Sequence, residues 1–294
     1  MPSNQNNNKN TQDDLLAMAI SNALRLEQVK TGLTDDASDT LDGLSADLLS
    51  DLASSGVFDA SQAGAIARRL AEFEKDSETS IQAVYKQILK DIRSSLADVA
   101  AKQSQLALDQ INKVAGFELA DSGLDEKALA DLVEGALVQG APIRDWLERQ
   151  AGQLHQRVLD SVRDSLAKGE SRADIAGKLL GQSAKAGAVG DGSLLQAQAQ
   201  LDTLVRTATA AVANDAKLAT YKENDDVVDG MQWVSVLDDR TTEDCEDLDG
   251  CVWDLDGEPI GDAPEFPGDP PIHWNCRSTL IPVLKKWSEL SKEG

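Results

Sequence analysis

Three cysteines and a histidine gathered near the end of the chain, Cys245, Cys251, His273 and Cys276, are the residues whose types and spacing could do chemistry. Thiolate and imidazole are the ligands zinc prefers, and a loop-rich segment with little core gains folding free energy from such a clip. His273 and Cys276 stand in the usual H-x2-C spacing, whereas the C-x5-C run from Cys245 to Cys251 is longer than the common knuckle. The same residues can instead form a buried, reduced cluster in which His273 bonds to backbone or to Asp238. A Cys–His nucleophilic pair is a third arrangement, and nothing in the sequence supplies it with an evident oxyanion hole or substrate pocket. An odd number of cysteines argues against a complete disulfide framework and suits a reducing compartment.

Other chemistries fit less well. A zinc deaminase needs H-x-E followed by P-C-x-x-C, and neither occurs. The two Asp-Leu-Asp-Gly runs, at 247–250 and 254–257, place glycine directly after the second aspartate, so they lack the third donor and the twelfth-position glutamate of an EF-hand. Turn chemistry accounts for them better. His155, alone on a helical pattern, reads as a surface or packing residue.

The elements that must position the cluster begin with Trp233 to Leu237, whose alternation and β-branching predict a strand. In the turn that follows, Asp238 can accept from backbone N–H groups while Arg240 reaches a carboxylate, which suits the pair to pinning a loop. Thr242 can cap a short helix over Glu243 to Leu248, with Gly250 as its left-handed stop, and Cys251 to Trp253 resumes an extended run. From 223 to 269 there are seventeen acidic residues and one base, Arg240, and the segment ends at Pro270-Pro271. That composition marks a separate module of short strands and loops.

The chain before this module reads as helix. A polar, low-complexity start, residues 1–12, is expected to be a disordered tail. Leu16, Ile20, Ala23 and Leu24 share one face of a helix that Gly32 would stop, and a second helix runs from near Leu41 to Gly56. Asp59 or Ser61 can cap a third, and Ser77 or Thr79 a fourth. That fourth helix has the strongest periodicity in the chain, Ile81 through Ile92, Leu96 and Ile111 to Val114, before Gly116; it is a rod of about 50 Å, with either an unbroken course or a kink near Gln103. Pro142 opens a helix carrying Trp146 to Leu166, Ser171 and Asp174 suit a capping box, Ala184 to Ser193 reads as a loop, and a last helix runs from Leu194 to about Tyr221. The fold class expected is mainly α, with a small loop-rich α+β module at the end. The domains expected are 13–116, 117–222 and 223–294.

Twenty-eight basic against 51 acidic residues give a formal net charge of −23. Such a surface repels phosphate backbones, so a DNA-binding reading would need local contacts at Arg68-Arg69 or Lys285-Lys286. The charge suits solubility, or docking onto a basic partner. No apolar run is long enough to span a bilayer, and the start has no apolar h-region, so neither a membrane nor an exported protein is expected.

Taken as one string, Gln232 to Thr242 with Trp233, Asp238, Arg240 and Thr241, then Cys245, Leu248 and Gly250, and finally Pro270-Pro271-Ile272-His273-Trp274-Asn275-Cys276-Arg277-Ser278, resembles the carboxy-terminal domain of Mu F-like phage head morphogenesis proteins. Val205-Arg206-Thr207, Asn214 and Tyr221 to Asn224 resemble the lead-in to that motif, extending the likeness over about 171–283. Ala208 stands where many relatives carry an acid, and Cys251 where lysine or another ordinary residue is usual, so a four-ligand site would be particular to this chain. The resemblance implies a minor capsid protein in the virion, assembled in the host cytoplasm. It further implies several copies at the portal vertex, contacts with portal or major capsid protein and only indirectly with packaged DNA, and no established catalysis. The competing reading is a metal-dependent hydrolase or delivered effector, which would need an open coordination position and a general base beside it.

Overall fold

The computed structural model describes residues 4–180 and 192–285, with side chains from Asp14 onward. Helices dominate: α1 (Asn4–Ser55), α2 (Ala63–Ala115), α3 (Glu126–Gly135), α4 (Ile143–Lys168), α5 (Arg172–Leu180), α6 (Ser193–Glu223) and α7 (Glu243–Leu248). Strands β1 (Leu137–Val138) and β2 (Ala141–Pro142) form a hairpin, and β3 (Val228–Val234), β4 (Val252–Asp254), β5 (Pro259–Ile260) and β6 (Thr279–Leu284) form an antiparallel sheet in the order β5-β4-β3-β6. The mainly α fold with a small α+β module is therefore present.

Several expected helix breaks do not occur. Gly32 lies inside α1, where a glycine costs only about 1 kcal/mol relative to alanine. The buried series Ala37, Leu41, Leu44, Leu48 and Leu52 maintains the 3–4 spacing that outweighs that cost. Ser77 and Thr79 do not cap a new helix; their hydroxyls donate to the carbonyls of Glu74 and Lys75 at 3.1 and 2.9 Å, so α2 runs unbroken through them and through Gln103. Residues 4–12, expected in a disordered tail, belong to α1, because adding a residue to an existing helix gains a hydrogen bond without a new nucleus. True stops fall where the backbone turns left-handed, at Gly56 and Gly116. The loop reading at 184–191, the stop at Gly181 and the base Lys286 lie outside the described residues.

The chain divides into two compact units that differ from the three consecutive domains expected, because α1, α2 and α6 each contribute to both. Unit 2 takes residues Gly32–Ile92 and the described part of Ile143–Val205. Its core repeats at helical spacing: Ile81, Tyr85, Ile88 and Ile92 of α2, and Ile143, Leu147, Ala151, Leu154, Val158 and Val162 of α4. His155 is a packing residue, buried with Nε2 3.0 Å from the Glu74 carbonyl. The Ser171–Asp174 capping box is reciprocal, Ser171 N to Asp174 Oδ2 at 3.0 Å and Asp174 N to Ser171 Oγ at 3.3 Å. Arg69, weighed above as a DNA contact, donates to the Gly56 carbonyl.

Unit 1 takes the described residues of Met1–Thr31, Arg93–Pro142 and Arg206–Gly294. Its core joins Ala107, Leu108 and Ile111 of α2 and Leu218 and Tyr221 of α6 to Met231, Trp233, Trp253 and Leu280 of the sheet. Trp233 and Trp253 meet edge to face with centroids 6.4 Å apart, and Phe266 lies 5.3 Å from Trp253. The helical face expected to be the apolar one in α1 is out by one residue: Leu15 and Ala19 are buried with Ile281, while Leu16, Ile20 and Leu24 are exposed. Gln103 of α2 and Asn22 of α1 exchange two amide hydrogen bonds of 3.0 Å.

Gly230 sits at an irregularity in the β3–β6 register, and a Cβ there would lie 2.2 Å from the Trp253 carbonyl oxygen of β4. Gly230→Ala is expected to destabilise unit 1 by roughly 2 kcal/mol or more, since backbone rather than a flexible side chain must yield. A lowered thermal unfolding midpoint would confirm it; an unchanged midpoint would show that the strand can shift.

Candidate metal centre

Helix α6 is the platform on which the terminal module is built. Asn214 Nδ2 donates to the Ser278 carbonyl at 3.3 Å, and its Oδ1 accepts from Thr279 Oγ1 at 2.9 Å and Leu280 N at 3.3 Å. Thr207 Oγ1 accepts from Asn275 N at 3.1 Å, and Tyr221 OH lies 3.4 Å from the Leu280 carbonyl. These lead-in residues of the motif thus tie the helix to the chain around β6. Lys217, on the same face, is fully buried and donates to Thr279 Oγ1 at 2.6 Å. Sequence reading passed over it, although its spacing of three from Asn214 and four from Tyr221 places it on that polar buried face.

The strand expected over Trp233 to Leu237 is instead β3, ending at Val234. At Ser235 the backbone leaves the ladder: its N–H donates to Asp249 Oδ1 at 2.7 Å, and its hydroxyl donates to the Cys245 carbonyl at 2.5 Å. The Trp233 indole N–H reaches Ser235 Oγ at 2.9 Å. Ser235 was not singled out from the sequence, where it read as one more strand position.

The turn after it is pinned differently from expectation. Asp238 Oδ1 accepts from Arg240 N at 2.9 Å, but the bidentate guanidinium belongs to Arg277, at 2.7 and 2.5 Å, and the Arg240 side chain lies 3.7 Å away and exposed. Hydrogen bonds from the Arg277 side chain, and then from the Arg240 backbone, hold the Asp238 carboxyl well below the usual carboxylate range. Thr241 Oγ1 accepts from Asp238 N at 3.0 Å and donates to the Val236 carbonyl. Thr242 caps α7 as expected, accepting from Cys245 N, and Gly250 is left-handed. The Pro270-Pro271 bond is cis, and the Pro271 carbonyl accepts from Gln139 at 3.4 Å.

These elements bring three of the four anticipated ligands together. Donor atoms of Cys245, His273 and Cys276 all lie within 4.8 Å of one another. Cys245 Sγ is 3.1 Å from His273 Nε2 and 3.7 Å from Cys276 Sγ, and no disulfide joins the cysteines. Cys251 stands apart: it is only partly buried, and its Sγ is directed at the Asp247 carbonyl 3.7 Å away. His273 does not bond to Asp238, which Arg277 occupies; its Nδ1 is 2.9 Å from the Trp274 carbonyl and its Nε2 is 3.1 Å from Thr242 Oγ1. The hydrogen bond between the thiols draws the Cys245 thiol down to about 5 and pushes that of Cys276 up, with burial adding to the second shift. The cavity beside the cluster measures about 10 Å³ and is lined by Thr241, Thr242, Cys245, His273 and Ser278 among others. It has room for one water or one ion, whereas small-molecule sites run to roughly 300–1,000 Å³.

Replacing Arg277 with lysine keeps the charge but loses the fork, so backbone amides across 236–241 are expected to exchange several-fold faster with deuterium. Arg240→Ala should leave them unchanged; the opposite ranking would return the pinning role to Arg240.

A second expectation concerns Lys217, whose burial lowers its pKa from 10.5 to about 7. The unfolded chain takes up this proton near pH 10.5 and the folded chain only near 7, so stability from this group falls as the pH drops between those values and is level below them. Lys217→Met should therefore raise the unfolding midpoint at pH 7 by a few degrees, the effect of about 1–2 kcal/mol, and the gain should shrink as the pH approaches the alkaline limit. Thermal melts across that range check both the sign and the trend.

Residues 156–281 match the family model described as Phage Mu protein F like protein. No curated protein and no solved structure matches the chain.

Proposed function

From the match of residues 156–281 to Phage Mu protein F like proteins, we propose that the chain is a phage head morphogenesis protein, a minor capsid component that associates with the portal or the inner capsid surface. In this role it supports head assembly, DNA packaging or delivery, resides in the virion in several copies at the portal vertex, and is assembled in the host cytoplasm. The domain match is the observation that carries the reading. Supporting it, the formal charge of −23 disfavours direct DNA binding and suits protein contacts, and no described helix is long and apolar enough to cross a membrane. Among the described residues the space beside the Cys–His cluster is about 10 Å³, which supports a structural over a hydrolytic role.

The experiment is co-expression of the full chain with the portal protein of the same phage, followed by affinity purification, together with deletion of its gene in the phage. Co-elution, and heads that are malformed or unfilled without the chain, are the expected outcome. Normal, filled heads lacking the protein, with no retention by portal or major capsid protein, would overturn the reading.

A further inference from the structure

We propose that Cys245, His273 and Cys276 hold one zinc ion per chain through two thiolates and the His273 Nε2, with a single water as fourth ligand, and that the ion clips α7 to the 273–276 turn. The inference does not depend on the capsid reading, because its readouts are metal content and ligand spectroscopy.

The histidine is already oriented as a ligand. A carbonyl oxygen can only accept, so the 2.9 Å contact of Nδ1 with the Trp274 carbonyl places the proton on Nδ1. That leaves the Nε2 lone pair facing Cys245 Sγ and the Thr242 hydroxyl, each at 3.1 Å, and a backbone carbonyl on Nδ1 is the arrangement that fixes the tautomer of a metal-bound imidazole. The turn itself is shaped for the task. Cys276 N–H closes it on the His273 carbonyl at 3.3 Å, Asn275 takes the left-handed conformation at φ 59°, and its N–H is anchored on Thr207 of α6.

Spacing and donor type both fit zinc. Two sulfurs each about 2.3 Å from a tetrahedral ion lie about 3.8 Å apart. The Cys245 and Cys276 sulfurs are 3.7 Å apart. The sulfur–nitrogen separation for such an ion is about 3.6 Å, so the His273 ring would withdraw from Cys245 Sγ by roughly half an ångström, and the Cys276 sulfur already lies within 4.8 Å of it. Two sulfurs and an imidazole suit zinc over calcium or magnesium, and among the described residues no carboxylate joins the donor group. The adjoining 10 Å³ pocket has room for one water. Binding displaces the thiol protons to solvent, with no change in oxidation state.

The closing role follows from sequence distance. Cys245 and Cys276 are 31 residues apart, so an ion joining them closes a long loop and removes its entropy from the unfolded chain. Cys251, directed at the Asp247 carbonyl, takes no part.

The test expresses the full chain in zinc-supplemented medium, purifies it without chelator and measures metal by mass spectrometry, alongside Cys251→Ser, Cys245→Ser and Cys276→Ser. About one zinc per chain is expected in the wild type and in Cys251→Ser, with at least a tenfold loss in the other two. Because those two could fail to fold, the wild type and Cys251→Ser are also reconstituted with Co²⁺, where a thiolate-to-cobalt charge-transfer band is expected in both. A wild-type chain that takes up neither metal would overturn the proposal, whether it shows three titratable thiols or a Cys245–Cys276 disulfide. Loss of metal in Cys251→Ser would overturn the three-residue assignment.

Discussion

The contact of Cys245 with His273 and Cys276 joins two stretches of chain that local structure does not join. Helix α7 hangs from the end of β3, and the 273–276 turn precedes β6; the two are linked along the chain by short strands and an acidic connection. Closing so long a loop costs entropy that grows slowly with length, and like charges along it add repulsion. Around the contact the polar groups are satisfied in sequence: Thr242 caps α7 and touches His273, Ser235 takes the Cys245 carbonyl, and the Ser235 and Ser278 hydroxyls meet at 3.2 Å. The cluster thus belongs to a continuous polar network rather than to an isolated pocket.

Beneath that network, α6 presents a face where polar and apolar residues alternate with buried neighbours. Asn214 satisfies three groups near β6, Thr207 fixes the backbone of the ligand-bearing turn, and Tyr221 links the helix to α2 through Gln110 and to β6 through Leu280. Lys217 is the costly member, because burial without a carboxylate partner among its hydrogen bonds disfavours its charge. Such groups define one register of helix on sheet better than apolar contacts would, since a slip would strand them without partners.

Much of this was legible in the sequence wherever a signal is local. Helical periodicity found most of the buried faces, Thr242 and Gly250 marked the ends of α7, and the Ser171–Asp174 box marked the start of α5. The misreadings share a cause, which is that tertiary contacts decided between local options. Gly32, Ser77 and Thr79 are good punctuation in isolation, but packing carries α1 and α2 past them. Leu15 and Leu16 are equally apolar, and only contact with Ile281 chooses the first. Arg240 is two residues from Asp238 and Arg277 is 39, yet the distant one forms the fork. Cys251 looked like a ligand by type; the α7 cap and the turn on Thr207 bring the other three residues together without it.

The central claim, that two thiolates and one imidazole from α7 and the 273–276 turn share one ion, is tested most directly by X-ray absorption at the zinc edge of the purified chain. The account predicts a shell of two sulfurs near 2.3 Å with one imidazole nitrogen and one oxygen at about 2.0–2.1 Å. A third sulfur, which would bring in Cys251, or a shell of nitrogen and oxygen alone would contradict it.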